Sequence, residues 1–177
     1  KYTFFTCAKF SAPTSEFESI VFEADEKEEK EIIINLPLYE GLEEILIATE
    51  QDAYIKKAKD ANLYLIGRIT TFKDSYFVND HKEVAISNSN GDPFSHNGSY
   101  WPSAFSTNVW EYNISLAVEA VELFGFNEIQ FDYVRFPDGT SSLEKDNIID
   151  MKNTYNISKI QAIQTFLIYA TDILHEK

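Results

Sequence analysis

Residues 128–137 read EIQFDYVRFP, and this stretch decides the fold. β-Branched and aromatic residues fill 126–136, between a glycine and Pro137, which is the pattern of a strand. Because successive strand side chains point to opposite faces, Asp132 shares a face with Gln130. Helical patterns on either side predict protein on both faces of this strand, where an unpaired carboxylate would be costly. The sequence therefore predicts a partner for Asp132.

The rest of the chain alternates between strand and helix patterns. Strands are predicted at 2–8, 20–24, 32–37 and 63–70, and amphipathic helices at 51–62, 108–124 and 155–174. Two segments, 73–107 and 138–147, lack periodicity and are predicted to be loops, the first long enough to serve a function. The alternation indicates β-α-β units with a parallel sheet. With 177 residues and no linker or internal repeat, the chain is expected to form one domain, 1–177.

The amino-acid composition excludes some kinds of binding partner for this protein. The net charge of −14 argues against nucleic acid, and no apolar run approaches the ~20 residues of a membrane span. The three histidines lack ligand spacing and no phosphate-binding glycine motif is present, so we expect no metal site and no cofactor. Localisation stays open, with an extracytoplasmic or cell-envelope location favoured because residue 1 is Lys rather than Met.

Three predicted strands carry a charged residue near the carboxyl end: Glu23, Arg68 and Asp132. Functional groups of β-α-β folds collect at this edge, and neighbouring strands lie ~4.8 Å apart, so an arginine can sit between two carboxylates. Such pairing would keep both carboxylates ionised. Two interpretations remain open. The trio is either an ion-pair network that sets strand register, or the floor of an active site in which Asp132 is a nucleophile or base.

Further polar and aromatic residues follow the predicted strand ends. Arg135, Lys73 and Asp74 are placed to line a pocket mouth, although isolated loop charges are commonly just solvated. Tyr100 and Trp101 lie in the long predicted loop. Aromatic faces beside a polar cleft suit stacking on sugar rings, so these five residues are the predicted substrate-binding set.

The chain resembles a bacterial family of glycoside-hydrolase-like TIM barrels. Residues 128–137 resemble the family signature, residues 67–74 (GRITTFKD) its third-strand motif, and residues 109–125 the helix before the signature strand. The family is similar in outline to the α-amylase-like clan, whose catalytic nucleophile is an aspartate at the end of strand four. The resemblance implies that role for Asp132 and a carbohydrate ligand.

The resemblance also implies a (β/α) TIM-barrel fold, but the chain is short for one. A complete barrel takes ~250 residues, so the sequence predicts the N-terminal half to two-thirds of a barrel, whose open edge invites self-association. A retaining glycosidase needs a second carboxyl group, and Glu23 is the one left to serve. Our expectation is a glycoside hydrolase domain acting on O-glycosidic bonds of a poly- or oligosaccharide. The alternative is an inactive glycan-binding or assembly module built on a degenerate half barrel.

Overall fold

The computed structural model describes residues 31–36 and 51–177. The strands are β1 (Glu31–Asn35), β2 (Tyr64–Thr70), β3 (Ser87–Asn88), β4 (Ser95–His96), β5 (Ser99–Tyr100), β6 (Glu128–Asp132) and β7 (Ile149–Asp150). The helices are α1 (Gln51–Asp60), α2 (Ser75–Asp80), α3 (Thr107–Phe124), α4 (Ser141–Lys145) and α5 (Lys159–Leu174), with a 3-10 turn at Lys82–Val84. The predicted strands at 2–8 and 20–24 lie outside the described residues, and Glu23 with them.

The three longer strands form one parallel sheet in the order β1-β2-β6. Helix α1 connects β1 to β2, and α3 lies in the connection from β2 to β6, so both connections are the predicted β-α-β units. Gly125 ends α3 in the left-handed conformation (φ 61°), a role that glycine fills without steric cost. The described chain is therefore a mixed α/β structure, as the alternation predicts.

One face of this sheet carries the helices. Leu65 and Ile69 of β2 are completely buried there, in a core shared with Ile55 of α1 and Leu116 of α3. Residues of the opposite parity are more polar, and Gln130 of β6 is exposed. Among the described residues, the helices cover one face of β6, so cover on the second face stays a prediction. Apolar side chains alternate with polar ones in this strand, which is the pattern of a half-buried strand rather than a fully buried one.

Phe166 joins α5 to the rest of the fold. Its ring is fully buried and lies 5.1 Å from the ring centroid of Phe72 and 5.4 Å from that of Phe131. Trp110 of α3 packs in the same cluster, and its indole N–H donates to the carbonyl of Ala104 at 2.9 Å. Helix α5 thus holds the end of β6 against α3 through aromatic contacts.

Several strands and helices begin or end at residues other than the predicted ones. Strand β6 ends at Asp132 rather than at residue 136, because Tyr133 takes a left-handed conformation (φ 54°) that no strand can continue. Helix α5 begins at Lys159 rather than at 155, after a capping box between Ser158 and Gln161. The two segments predicted as loops contain α2, α4 and the short strands β3, β4 and β5. Elements of two to six residues are too short to produce a periodic sequence signal.

Candidate functional site

The structure brings Arg68 and Asp132 together at the carboxyl end of the parallel sheet. In the register of β2 and β6, Arg68 lies opposite Gln130 and Thr70 opposite Asp132, so Arg68 and Asp132 are diagonal neighbours on one face. Their side chains form an ion pair through Nη2 of Arg68 and Oδ2 of Asp132. The other carboxylate oxygen accepts the backbone N–H of Tyr133 at 2.7 Å. Both oxygens of Asp132 are thus held in place.

This ion pair is partly open to solvent. The side chains of Arg68 and Asp132 are 29% and 33% exposed. Asp132 is thus about one-third exposed, on the face of the sheet opposite the described helices, rather than enclosed as predicted. A carboxylate held by an arginine and a backbone N–H, yet reachable from outside, can act as a nucleophile or stabilise positive charge.

The backbone turns sharply after Asp132. Tyr133 is a non-glycine residue at positive φ, a conformation that costs free energy and that clusters at functional sites. After this turn the Tyr133 ring lies beside Lys73, whose Nζ is 4.7 Å from the ring centroid. Backbone pairing holds this geometry, because the N–H of Thr71 donates to the carbonyl of Asp132 at 2.8 Å.

A small cleft of about 100 Å³ opens beside Tyr133. Three of the predicted substrate-binding residues line it: Lys73, Trp101 and Arg135. The cleft also contains four residues that the sequence analysis did not single out, namely His96, Asn97, Tyr133 and Asp138. Tyr133 could have been found as the residue after the central aspartate, but the β4–β5 hairpin that delivers His96 and Asn97 gave no long-range signal.

Two of the predicted aromatic contacts look different in the structure. Trp101 is only 3% exposed, so most of its ring is unavailable as an open platform for a sugar. Arg135 covers it, with the guanidinium carbon 5.2 Å from the indole centroid. Tyr100 is half-buried in β5 and does not line the cleft, and its backbone N–H donates to Ser75 Oγ at 3.0 Å. Trp101 thus forms part of the cleft wall.

Asp74 lies deeper than predicted. It is 2% exposed and caps helix α2, where its Oδ1 accepts the N–H groups of Tyr76 and Phe77 at 2.9 and 3.0 Å. Its Oδ2 is buried and has no partner among the described residues. Burial raises the pKa of Asp74 to about 6, although the two N–H donors act in the opposite direction. Asp74 is therefore a buried helix cap, and the prediction that it lines a pocket mouth is wrong.

A larger groove of about 500 Å³ runs along α2 and α3 and contains none of the predicted site residues. Across residues 31–36 and 51–177, no group of three or more potential metal-ligating side chains occurs. Nor does any helix in those ranges have the length and hydropathy to cross a bilayer.

Most of the chain is similar to known sequences and to a solved structure. Residues 21–177 match a family described as a putative glycosyl hydrolase domain. A hypothetical protein from Ruminiclostridium thermocellum is similar in structure, with a TM-score of 0.63 and 31% identity over 79% of this chain and 76% of that one. An α-galactosidase from Thermus thermophilus gives a TM-score of 0.39 and 16% identity over 47% of this chain and 19% of its own, a likeness too low to carry an argument.

No curated protein matches the chain significantly. The family match covers most of the sequence, including both strands that carry the ion pair, and the similar structure from R. thermocellum covers more than two-thirds of each chain. The chain belongs to the family described as a putative glycosyl hydrolase domain.

Proposed function

We propose that this chain is a glycoside hydrolase domain that cleaves O-glycosidic bonds of a poly- or oligosaccharide, with Asp132 as the nucleophile or electrostatic stabiliser. The observation that carries the proposal is the Arg68–Asp132 ion pair, which sits half-exposed at the carboxyl edge of a parallel sheet. Catalytic groups of β/α architectures occupy this edge. Membership in a family described as a putative glycosyl hydrolase domain supports the same reaction class.

The solvent exposure of the Arg68–Asp132 pair argues against the alternative that the pair serves only to set strand register. Ion pairs as open as this one contribute about 0–1 kcal/mol to stability, so holding the strands together is a weak reason for it. The sheet register is already specified by the buried side chains of β2, Leu65 and Ile69. A functional role explains why two charged groups occupy this face better than a structural one does.

In the proposed reaction Asp132 attacks the anomeric carbon, or stabilises the positive charge that develops there. Attack forms a glycosyl ester while the bond to the leaving oxygen breaks, and an acid donates a proton to that oxygen. Water then hydrolyses the ester, giving one proton to the deprotonated acid and its hydroxyl to the sugar, and the Asp132 carboxylate is released. Arg68 holds the Asp132 carboxylate in place through the ion pair. We assign the acid to Glu23, which retaining chemistry would require ~5–5.5 Å from Asp132.

We also propose that the sheet is part of a TIM-barrel-type fold. Strand β2 turns apolar residues toward the helices, and the other face of the sheet carries Arg68, Gln130 and Asp132. That division supports the proposal, since barrel strands pack one face against the helices and turn the other inward. The chain would then supply one portion of the barrel.

The test compares Asp132→Asn with Glu128→Gln, a matched acid-to-amide change four residues earlier in the same strand. Turnover of a panel of aryl glycosides and of polysaccharides is measured for both variants. Asp132→Asn is expected to lower kcat by about a hundredfold or more, the usual cost of removing a group that stabilises the transition state. Glu128→Gln should leave kcat within about twofold, because its side chain is exposed at the opposite end of the strand.

A second variant separates the two roles of Asp132. With Asp132→Ala, azide can take the place of the missing carboxylate, and a glycosyl azide product would assign the nucleophile. Restored hydrolysis without that product would assign electrostatic stabilisation. Unchanged turnover in Asp132→Asn would remove Asp132 from the reaction, and glycan binding by a wild-type protein that cleaves nothing would support the inactive-module alternative.

A further inference from the structure

The cleft beside Tyr133 concentrates positive charge in a strongly acidic protein. Among the described residues, Lys73 and Arg135 line it together with one carboxylate, Asp138, whereas the whole chain carries a net charge of −14. Asp138 is 83% exposed, so solvent screens much of its charge. Within the described residues, Lys73 forms no ion pair with a carboxylate. The cleft is therefore a local site for an anion.

Aromatic rings hold both cations on the cleft wall. The Arg135 guanidinium carbon lies 5.2 Å from the Trp101 centroid and 5.4 Å from that of Tyr133, and Lys73 Nζ lies 4.7 Å from Tyr133. Cation–π contacts at these distances are attractive and restrict the long side chains. Trp101 itself is 3% exposed, so its ring is a fixed surface on which Arg135 rests.

The size of the cleft limits what it can take. A volume of about 100 Å³ corresponds to about three water molecules at ~30 Å³ each, whereas pockets that enclose whole ligands are typically ~300–1,000 Å³. The cleft is too small for a sugar ring, but it has room for a carboxylate or a sulfate group. Arginine suits both groups, because its planar fork donates two parallel hydrogen bonds to paired oxygens.

We propose that the cleft binds the anionic substituent of an acidic sugar, a carboxylate as in a uronic acid or a sulfate ester, while the sugar ring lies toward Asp132. This inference rests on the proposed function and names its substrate class. Asp138 already places a carboxylate oxygen 2.7 Å from Nη1 of Arg135. The ligand's anion therefore competes with Asp138 for the same guanidinium.

Binding measurements on the full chain test this directly. Glucuronic acid, a trigalacturonide, glucose 6-sulfate and glucose are titrated at fixed ionic strength and followed by NMR shift changes. At least one acidic sugar is expected to bind about tenfold more tightly than glucose, and comparison of the carboxylate with the sulfate probes identifies the substituent. Equal binding of glucose and all the acidic sugars, or binding of none of them, would overturn the proposal.

Substitutions in the cleft should change the affinity for acidic sugars in opposite directions, depending on the charge removed. Arg135→Gln and Lys73→Gln should each weaken acidic-sugar binding about tenfold, the usual effect of losing a charge-assisted hydrogen bond, and leave glucose unaffected. Asp138→Asn should tighten acidic-sugar binding a few-fold, because it removes the competing carboxylate. Lys145→Gln, an exposed lysine outside the cleft lining, is the matched control. Weakening by Lys145→Gln equal to that by Arg135→Gln would show that only net charge matters and would refute the site.

The experiments can support the acidic-sugar site and reject the hydrolase, or the reverse, because binding and cleavage are measured separately. Acidic-sugar binding that depends on Arg135 and persists in Asp132→Asn, in a protein that cleaves no glycoside, would support the ligand class and reject the hydrolase. Turnover of neutral glycosides without any preference for acidic sugars would do the reverse.

Discussion

Asp74 allows a prediction that can be worked out from its surroundings. Its carboxyl group is 2% exposed, one oxygen caps α2, and the other has no partner among the described residues. Burial raises its pKa from 3.8 to about 6. In the unfolded chain the carboxyl is solvated and returns to its usual value. Replacement by Asn keeps an oxygen that can cap the helix and removes the titration altogether.

The sign of the effect follows from proton binding. Between pH 3.8 and about 6 the unfolded chain has lost the proton of Asp74 while the folded chain still holds it. The free energy of unfolding therefore falls as the pH rises through this window. At about 1.4 kcal/mol per pH unit, the full window corresponds to about 3 kcal/mol, which is present below pH 3.8 and lost above pH 6.

Urea unfolding of the wild type and of Asp74→Asn at pH 4.5 and pH 7.5 measures this contribution. The difference, variant minus wild type, should increase by about 2 kcal/mol between the two pH values, since part of the window lies below pH 4.5. Asp172→Asn, an exposed acid-to-amide change on α5, is the control and should show no such increase. A difference for Asp74→Asn that is the same at both pH values would refute the reasoning.

Three further predictions concern stability and are measured by urea unfolding at pH 7.5. Arg68→Met should cost less than about 1 kcal/mol because both partners of its ion pair are about a third exposed, and a larger loss would favour the structural-network interpretation. Phe166→Ala should cost about 3–5 kcal/mol through the cavity left between three aromatic rings, whereas Tyr169→Ala, at 40% exposure, should cost far less. Ser158→Ala should cost about 1 kcal/mol by removing the Oγ that accepts the backbone N–H of Gln161, and an equal loss in Ser158→Asp, which keeps a capping oxygen, would contradict that explanation.

Much of the architecture could be predicted because the signals are local. The strands at 32–37 and 63–70 and the helices at 51–62 and 108–124 are found within a few residues of their predicted bounds. The alternation of side chains along each strand predicts that Arg68 and Asp132 share one face of the sheet. The wrong boundaries fall where elements are short, or where a single residue such as Tyr133 leaves the strand conformation.

The burial of polar groups could not be predicted. Asp74 follows β2 by a few residues, and nothing local distinguishes it from a solvated loop carboxylate. Asn113 is a similar case: it is 1% exposed, and its side-chain amide donates to Val109 O at 2.8 Å and to Thr71 O at 3.4 Å, linking α3 to the end of β2. In the sequence it is simply a polar residue of an amphipathic helix. Burial depends on what other parts of the chain bring against a residue.

By itself, the sequence determined the order of strands and helices, the parallel sheet and the face on which each strand residue lies, because those properties follow from backbone geometry over a few residues. The tertiary structure alone decided the remaining features of the site. Register made Arg68 a diagonal neighbour of Asp132, and long-range packing assembled Lys73, Trp101 and Arg135 around Tyr133. Distances between residues far apart in the chain are set by the packing of the whole fold, which no short stretch of sequence specifies.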